Sequence, residues 1–528
     1  MGRLPRFPLI VSVLFGALAC SHGCLPGLDV PANPASTEES VDMGVMPDTT
    51  DGLQNSLAVA SISPPAGKMS GGEPVTVRGR GFKQGISVTF SRIVDGQPRT
   101  AVATVQSVTD AELKIVTPPA PGGLLGAFDI KFQLAAQEVT NRKFFRYRTD
   151  SLAFSTVKPV NPYFGIQKVF AANLDSEIDG LIDVVSAKDG GSLLLGIDKQ
   201  VSGSFTKQPG LDYPKDSRNN YIQTRIDRLF VADLNEDRTL DILVSRQDGI
   251  FRCLGKNIGP TYLCENPINL LTGTYSSSPR EQAFGPIDIL PARKLLVVAK
   301  NSSSIESPSE LLFLSYDAKG VSPTSIADPK LLNRSIAALA IANYNATTKI
   351  FNLVIGFRGK GQPNLKIFQV HQPDGMPSHL TSVAEFALAG VPASIDAVDL
   401  DLDGNDDLVI RNSETGVIDL WPGVDGRGFE TQPKQLTAGN TSVIEDLRVA
   451  DINGDDYPDL SYVNGAQGVV WVHENMGEMR FVGANSISIP GRHSAIDIAK
   501  LNNRSALPDL LLASRADNKI VVSTNTSK

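Results

Sequence analysis

Three stretches between residues 233 and 459 of this chain place oxygen-bearing side chains at a constant spacing. Asp233-Leu-Asn235-Glu-Asp237-Arg-Thr-Leu-Asp241, Asp399-Leu-Asp401-Leu-Asp403-Gly404-Asn-Asp-Asp407 and Asp451-Ile-Asn453-Gly-Asp455-Asp-Tyr-Pro-Asp459 all carry Asp or Asn at positions 1, 3, 5 and 9. Alternate carboxylates on a sharply curved loop can converge on one point, a position-7 carbonyl can join them, and the ninth-position Asp closes the shell from the next strand. An oxygen-only donor set suits a hard cation, calcium above all. The same residues also cap their own backbone in metal-free turns, which is the purely conformational reading of the pattern. Position 6 calls for a positive φ, which Gly404 supplies freely, Asp456 tolerates and Arg238 suits least.

Each loop lies between two apolar runs, such as Leu229-Phe-Val-Ala232 and Ile242-Leu-Val-Ser245. Degraded copies follow the same plan. Asn173-Leu-Asp175-Ser-Glu177 leads to Asp183, Asn343-Tyr-Asn345 leads to Asn352, and Lys500-Leu-Asn502 leads to Asp509. Ile287-Asp-Ile-Leu290 and Leu295-Leu-Val-Val298 keep the flanking strands around a loop without the acids. These make seven units recurring every roughly 50 to 60 residues, the period of a four-stranded propeller blade. Third strands are predicted at Ser192–Leu195, Gly249–Arg252 and Val469–Val472, and fourth strands opening at Phe205, Phe429 or Phe481. The seventh unit ends with its third strand, Lys519–Ser523, so Leu152-Ala-Phe154-Ser-Thr-Val-Lys-Pro is predicted to complete that blade and remove the open edge. The fold class is therefore all-β, with the propeller over residues 152–528.

On these loops and this period, residues 152–528 resemble the FG-GAP/VCBS repeat family, known from the integrin alpha propellers. The resemblance implies that bound calcium holds the blades rigid and that ligands bind on the opposite face. Upstream, Ile62-Ser-Pro64-Pro65-Ala-Gly67, Ser70-Gly71-Gly72, Val75-Thr-Val77-Arg-Gly79-Arg-Gly81-Phe82, Thr117-Pro118-Pro119 and Phe145-Arg-Tyr147 alternate short strands with Gly and Pro turns. Their order resembles an IPT/TIG domain, an immunoglobulin-like sandwich, over residues 58–149. Its Gly and Pro positions serve the fold and imply no site.

Arg3 and Arg6 precede an apolar run from Leu9 to Ala19, too short to span a bilayer, which reads as an export signal over residues 1–19. Ala17-Leu-Ala-Cys20 resembles a bacterial lipobox that would lipidate Cys20, and it also fits ordinary signal-peptidase cleavage. Residues 20–57 form an acidic tether rich in Pro, Ser and Thr, without apolar periodicity, expected to be disordered. Its acids account for much of the net charge of −8, which leaves the folded part near neutral and argues against nucleic acid as a partner. Cys253 and Cys264 fall on adjacent predicted strands, and a disulfide between them fits an oxidising compartment. The five His residues have no ligand or triad spacing, and there is no phosphate-cradling Gly loop or nucleophile elbow.

Turns between second and third strands emerge opposite the acidic loops. Six of the seven begin with a basic residue: Lys188, Arg246, Lys300, Arg358 with Lys360, Arg411 and Arg515. They are expected to form a cationic ring that attracts an acidic ligand, either a carboxylated polysaccharide or an Asp/Glu-bearing protein segment. The function expected is a non-catalytic, calcium-stabilised binding or adhesion protein exported to the cell envelope. A carbohydrate-active enzyme or a structural envelope component on the same scaffold are the alternatives.

Overall fold

A computed structural model describes residues 56–528 apart from stretches of the propeller's connecting loops, the longest being 213–225, 271–282, 302–308, 316–323, 327–334 and 372–379. The export segment, the tether, Cys20, Lys360 and the degraded-loop residues Asp175, Glu177 and Asn502 lie outside the described residues. Among the described residues no helix is long and apolar enough to cross a membrane.

The N-terminal domain packs a four-stranded sheet against a five-stranded one. Alternate residues of Ser87–Val94, Gly126–Leu134 and the end of Gln137–Arg148 face inward, as a pleated strand requires. Phe90, Phe128, Phe145 and Tyr147 meet there, three of the pairs edge to face with ring centroids 5.1–5.3 Å apart and Phe90 tilted against Tyr147 at 5.9 Å. The buried Tyr147 hydroxyl donates to the Pro118 carbonyl at 2.8 Å, so the one polar atom of this aromatic cluster is satisfied.

Seven four-stranded antiparallel sheets follow. Their first strands are Ile166–Ala172, Ile226–Ala232, Ala283–Leu290, Ile336–Asn345, Pro392–Val398, Asp446–Ala450 and Ala495–Ala499. Seven apolar clusters each span two successive sheets. Val297 and Phe313 of the third sheet meet Leu339 and Leu353 of the fourth; Val470 of the sixth meets Leu510 and Leu512 of the seventh. The last cluster joins Leu511 and Val522 of the seventh sheet to Val169 and Val184 of the first, which closes the ring as a seven-bladed propeller. Second strands such as Asp509–Ser514 are buried on both faces, because Leu510 and Leu512 serve one neighbouring blade and Leu511 the other. That double burial is why these strands read as unbroken apolar runs.

The seventh blade is completed from the interdomain segment as the sequence predicts. Lys158 and Pro159 pair with Val522 and Val521, and Phe154 bridges Asn525. The Ser155 and Val160 amides donate to the Thr524 and Ile520 carbonyls, each at 2.8 Å. Two fourth strands differ from expectation. Phe429 belongs to a small ribbon with Gly423–Val424, and Lys434–Thr437 forms the outer strand of the fifth blade. Phe481 makes one bridge to Asn475, and Asn485–Ser488 takes the outer place in the sixth. In both blades the aromatic side chain packs inward near the acidic-loop face, ahead of the strand.

A chain beginning at residue 165 would leave Lys519–Ser523 as an open edge, whereas one beginning at residue 150 would keep its partner. Amide exchange at Ile520–Val522, followed by mass spectrometry, is expected to be much faster in the shorter chain and close to that of the full protein in the longer one.

Candidate functional site

The three acidic loops share one internal wiring. The position-1 carboxylate accepts the amides of positions 5 and 6: Asp237 and Arg238 on Asp233, Asp403 and Gly404 on Asp399, Asp455 and Asp456 on Asp451, at 2.9–3.2 Å. Position 6 has positive φ in all three, +69° at Arg238, +93° at Gly404 and +71° at Asp456. Arg238 adopts the conformation that sequence alone suits least, because two carboxylate bonds at Asp233 hold it there.

Position 9 behaves differently from the simple cage expected. Both oxygens of Asp241, Asp407 and Asp459 are taken by backbone amides, one from loop position 2 and one from the end of the third strand. The pairs are Leu234 and Gly255, Leu400 and Gly423, Ile452 and Asn475, at 2.7–3.0 Å. Asp183 in the degraded first loop keeps this wiring with Leu174 and Gln200, and Asp509 receives the Asn525 amide. Asn475 then donates to the Leu400 carbonyl of the preceding loop and Asn525 to that of Ile452, passing the connection from blade to blade. Another degraded loop has become a neighbour's support, for Asn343 and Asp406 exchange amide-to-side-chain bonds at 2.6 and 2.7 Å.

The oxygens left for a cation lie at positions 1, 3 and 5. Asp399, Asp401 and Asp403 each offer a carboxylate oxygen, all within 4.8 Å of one another, and one Asp401 oxygen has no hydrogen-bond partner. In the sixth blade Asn453 and Asp455 are fully buried, and Asp455 Oδ2 is likewise unpartnered. In the second blade Asn235 donates to Asp237 at 2.9 Å, which turns its amide nitrogen toward the position-5 carboxylate. Burial pushes the Asp241 and Asp407 carboxyls up to about 7 against the pull of their amide donors and with help from the other acids of each loop. Burial also raises Asp399, Asp401, Asp451, Asp455 and Asp459, with repulsion among neighbouring carboxylates adding to it at Asp401, Asp455 and Asp459. An oxygen-only set of mutually repelling carboxylates with unpartnered lone pairs fits a hard divalent cation.

On the opposite face, where the first strands begin, the ring opens into a cavity of about 260 Å³. Lys168, Arg228, Arg411, Arg448 and Arg515 line it together with Asp396, Glu445 and Asp446. Arg448 bonds Asp446 at 3.1 Å and Asp497 at 3.2 Å, while Lys168 reaches Asp446 at 3.3 Å, so first strands of the sixth, seventh and first blades are tied around the axis. Burial alone would push the Asp446 carboxyl up, but Arg448, Lys168 and Arg411 together hold it below the usual carboxylate range. Lys168 is pushed down by burial, and Arg448, Arg411 and Arg228 crowd it with like charge. Arg411 is held by Ser394 Oγ and the Ile444 carbonyl. No carboxylate pairs with Arg411 or Arg228 among the described residues.

The predicted cationic ring is therefore only partly present. Arg411 and Arg515 reach the cavity, and Arg358 is exposed. Lys300 pairs with Glu310 at 3.1 Å. Arg246 is wholly buried over the Phe251 ring at 4.8 Å, and Lys188 is 2% exposed, its ammonium pushed down to about 7 by burial. Both sit at ends of second strands that neighbouring blades cover, so they do not face solvent as a rim. Sequence reasoning missed Lys168, Arg228 and Arg448, whose signal is a cation at the third residue of a first strand that is apolar from there on. Cys253 and Cys264 are bonded across the third and fourth strands of the second blade, Cα atoms 5.3 Å apart. His473 and His493 are buried structural side chains bonded to the Val482 and Ile489 carbonyls.

Residues 57–147 match the IPT/TIG domain family, so the N-terminal sandwich is an IPT/TIG domain. No curated protein matches the chain. Among solved structures it is similar to BBS1N in complex with ARL6DN, soaked with mercury (13% identity, TM-score 0.46, 71% of this chain and 96% of that one). It is also similar to virginiamycin B lyase from Staphylococcus aureus (11%, 0.41, 71% and 99%) and to a phosphatase, so described, from Bacteroides thetaiotaomicron (10%, 0.33, 90% and 98%). The propeller assignment rests on the protein's own sheets and inter-blade cores.

Asp459→Ala would strand the buried Ile452 and Asn475 amides and is expected to cost about 2–5 kcal/mol in denaturant unfolding. Asp403→Ala, at an exposed position, is expected to cost less than about 1 kcal/mol in metal-free protein.

Proposed function

We propose that the protein is an exported, non-catalytic binding or adhesion protein whose FG-GAP/VCBS-type propeller is stabilised by calcium and receives an acidic ligand in the axial cavity. The ligand class is a carboxylated polysaccharide or an acidic protein segment. The observation that supports this reading is the pair of guanidinium groups, Arg228 and Arg411, which line the cavity outside any ion pair among the described residues and crowd Lys168. An incoming carboxylate relieves that repulsion, and a guanidinium can hold it with two parallel bonds. A volume of about 260 Å³ is below the usual range for drug-sized ligands and suits one uronic acid or one acidic side chain. Export, with a lipid at Cys20 or ordinary cleavage beside it, accords with the basic and apolar amino terminus.

Calcium would be held by Asp399, Asp401 and Asp403 and by Asp451, Asn453 and Asp455, with the weaker donor set at Asp233, Asn235 and Asp237. When bound it supplies charge compensation for the loop carboxylates. Extracellular calcium modules bind in the range of about 10⁻⁴–10⁻³ M, and an ion at 100 times its dissociation constant adds about 2.7 kcal/mol per site.

A second reading, a carbohydrate-active enzyme, draws on Glu445, whose carboxyl burial pushes up at the cavity. Turnover of a polysaccharide panel that is lost in Glu445→Gln would favour it over simple binding.

Arg228→Gln and Arg411→Gln are each expected to weaken binding to an acidic glycan or an Asp/Glu-rich peptide at least about tenfold, more at low salt than at moderate salt. Arg358→Gln, outside the cavity, is expected to leave it unchanged. Calorimetry with polygalacturonate fragments and a poly-Glu peptide reads this directly, and equal affinity in all three variants would remove the axial site.

Asp241 and Asp407 have folded values near 7, above their unfolded values. Their protonated forms therefore favour the fold at low pH, and that contribution is lost as pH rises through about 7. With a chelator, the melting temperature is expected to fall between pH 5 and pH 7.5. Calcium is expected to raise it more at pH 7.5 than at pH 5, because protons and the ion compete for the same carboxylate clusters.

A further inference from the structure

The three acidic loops differ in what covers them. Asp237 and Asp403 at position 5 are exposed, whereas Asp455 is fully buried with an oxygen that has no partner. The covering element is the IPT/TIG domain. Thr149 donates its amide to the Asn453 carbonyl at 3.1 Å, and Ala127 donates to Asp456 at the same distance. Arg146 lies 4.6 Å over the Tyr457 ring, bonds its hydroxyl at 3.2 Å and approaches Asp456 at 3.9 Å. Leu125 packs so closely on Gly454 that a Cβ there would stand 2.7 Å from its Cδ1. Beside the loop, Arg148 pairs with the buried Glu474 at 3.1 Å.

Positions 3, 4, 6 and 7 of this loop thus contact the N-terminal domain, while positions 1, 3 and 5 turn their oxygens inward. Seating the domain removes water from Asp455. Asp455 Oδ1 accepts the Tyr457 amide but Oδ2 accepts nothing, and an unpartnered oxygen on a buried carboxylate carries a cost that a divalent ion among Asp451, Asn453 and Asp455 would offset.

We infer that the sixth-blade loop is a cation-dependent lock between the two domains: ion binding at Asp451, Asn453 and Asp455 favours seating of the IPT/TIG domain, and seating raises the loop's affinity for the ion. The two effects must be equal in size because they are one coupling free energy. Among the described residues the second and fifth loops show no contact with the N-terminal domain, and they would act within the propeller alone. The inference is independent of the axial cavity and of whatever binds there.

Hydrogen exchange with mass-spectrometric readout on the full chain tests it, with saturating calcium against a chelator. Calcium is expected to slow exchange in the loop peptide 451–459 and also in the domain peptides 125–128 and 146–149. Asp455→Asn is expected to abolish the calcium response of the domain peptides, and Asp403→Asn to leave it intact. Leu125→Ala removes docking contact without changing charge. It is expected to raise the calcium concentration for half-protection of 451–459 by roughly fivefold or more, with no change for 399–407. The lock is overturned if calcium protects the loop while the domain peptides exchange at one rate in both conditions, if calcium leaves 451–459 unprotected, or if Leu125→Ala does not move the midpoint. Should Asp455→Asn fail to fold, the Leu125→Ala arm decides alone.

Discussion

The propeller depends on one repeated interaction, the ninth-position aspartate that takes two backbone amides at once. Asp183, Asp241, Asp407 and Asp459 each hold the turn between first and second strands against the end of the third. In these four blades the carboxylate satisfies amides that would otherwise be left unpaired at the turn. Asn475 and Asn525 carry the link onward to the previous loop. The acid needed for this purpose survives in the degraded first and seventh loops, where other positions of the pattern have lapsed. Blade architecture and any metal chemistry are therefore separable, with position 9 serving the former and positions 1, 3 and 5 free for the latter.

The axial end is organised by charge rather than by apolar contact. Asp446, Arg448, Asp497 and Lys168 join three first strands where the ring closes. Once those pairs are made, three cations of the lining, Arg228, Arg411 and Arg515, stand against two carboxylates, Asp396 and Glu445. A surplus of one sign in a recess with low-dielectric walls concentrates the field at its mouth. The IPT/TIG domain lies over the sixth blade's acidic loop, so the recess stays open at the other face.

Much of the fold could be read from the chain because the blades repeat a turn, acidic in most of them, between two apolar runs, and that repeat counts the blades. Even the closing segment was legible, since the seventh unit visibly lacks a strand. The outer strands were less so. Phe429 and Phe481 look like strand openings, yet they pack inward ahead of Lys434–Thr437 and Asn485–Ser488. The basic rim was misplaced for a related reason. Linear order locates the ends of second strands but not the covering that neighbouring blades give them, and Arg246 ends over Phe251 with no access to water. Lys168, Arg228 and Arg448 converge only when the ring is closed, so no local window displays them together. The seating of Arg146 and Leu125 on the loop from Asp451 was equally invisible, as it joins positions more than three hundred residues apart.

Ser523 donates to the Ser155 carbonyl across 368 positions of sequence. During synthesis the segment around Ser155 emerges long before its partner, at about 5–20 residues per second. It must wait, unpaired, while six complete wedges assemble behind it. The circle cannot shut until Lys519–Ser523 has left the ribosome, so a product cut short of that strand would have a sound sandwich domain but a ring that stays ajar.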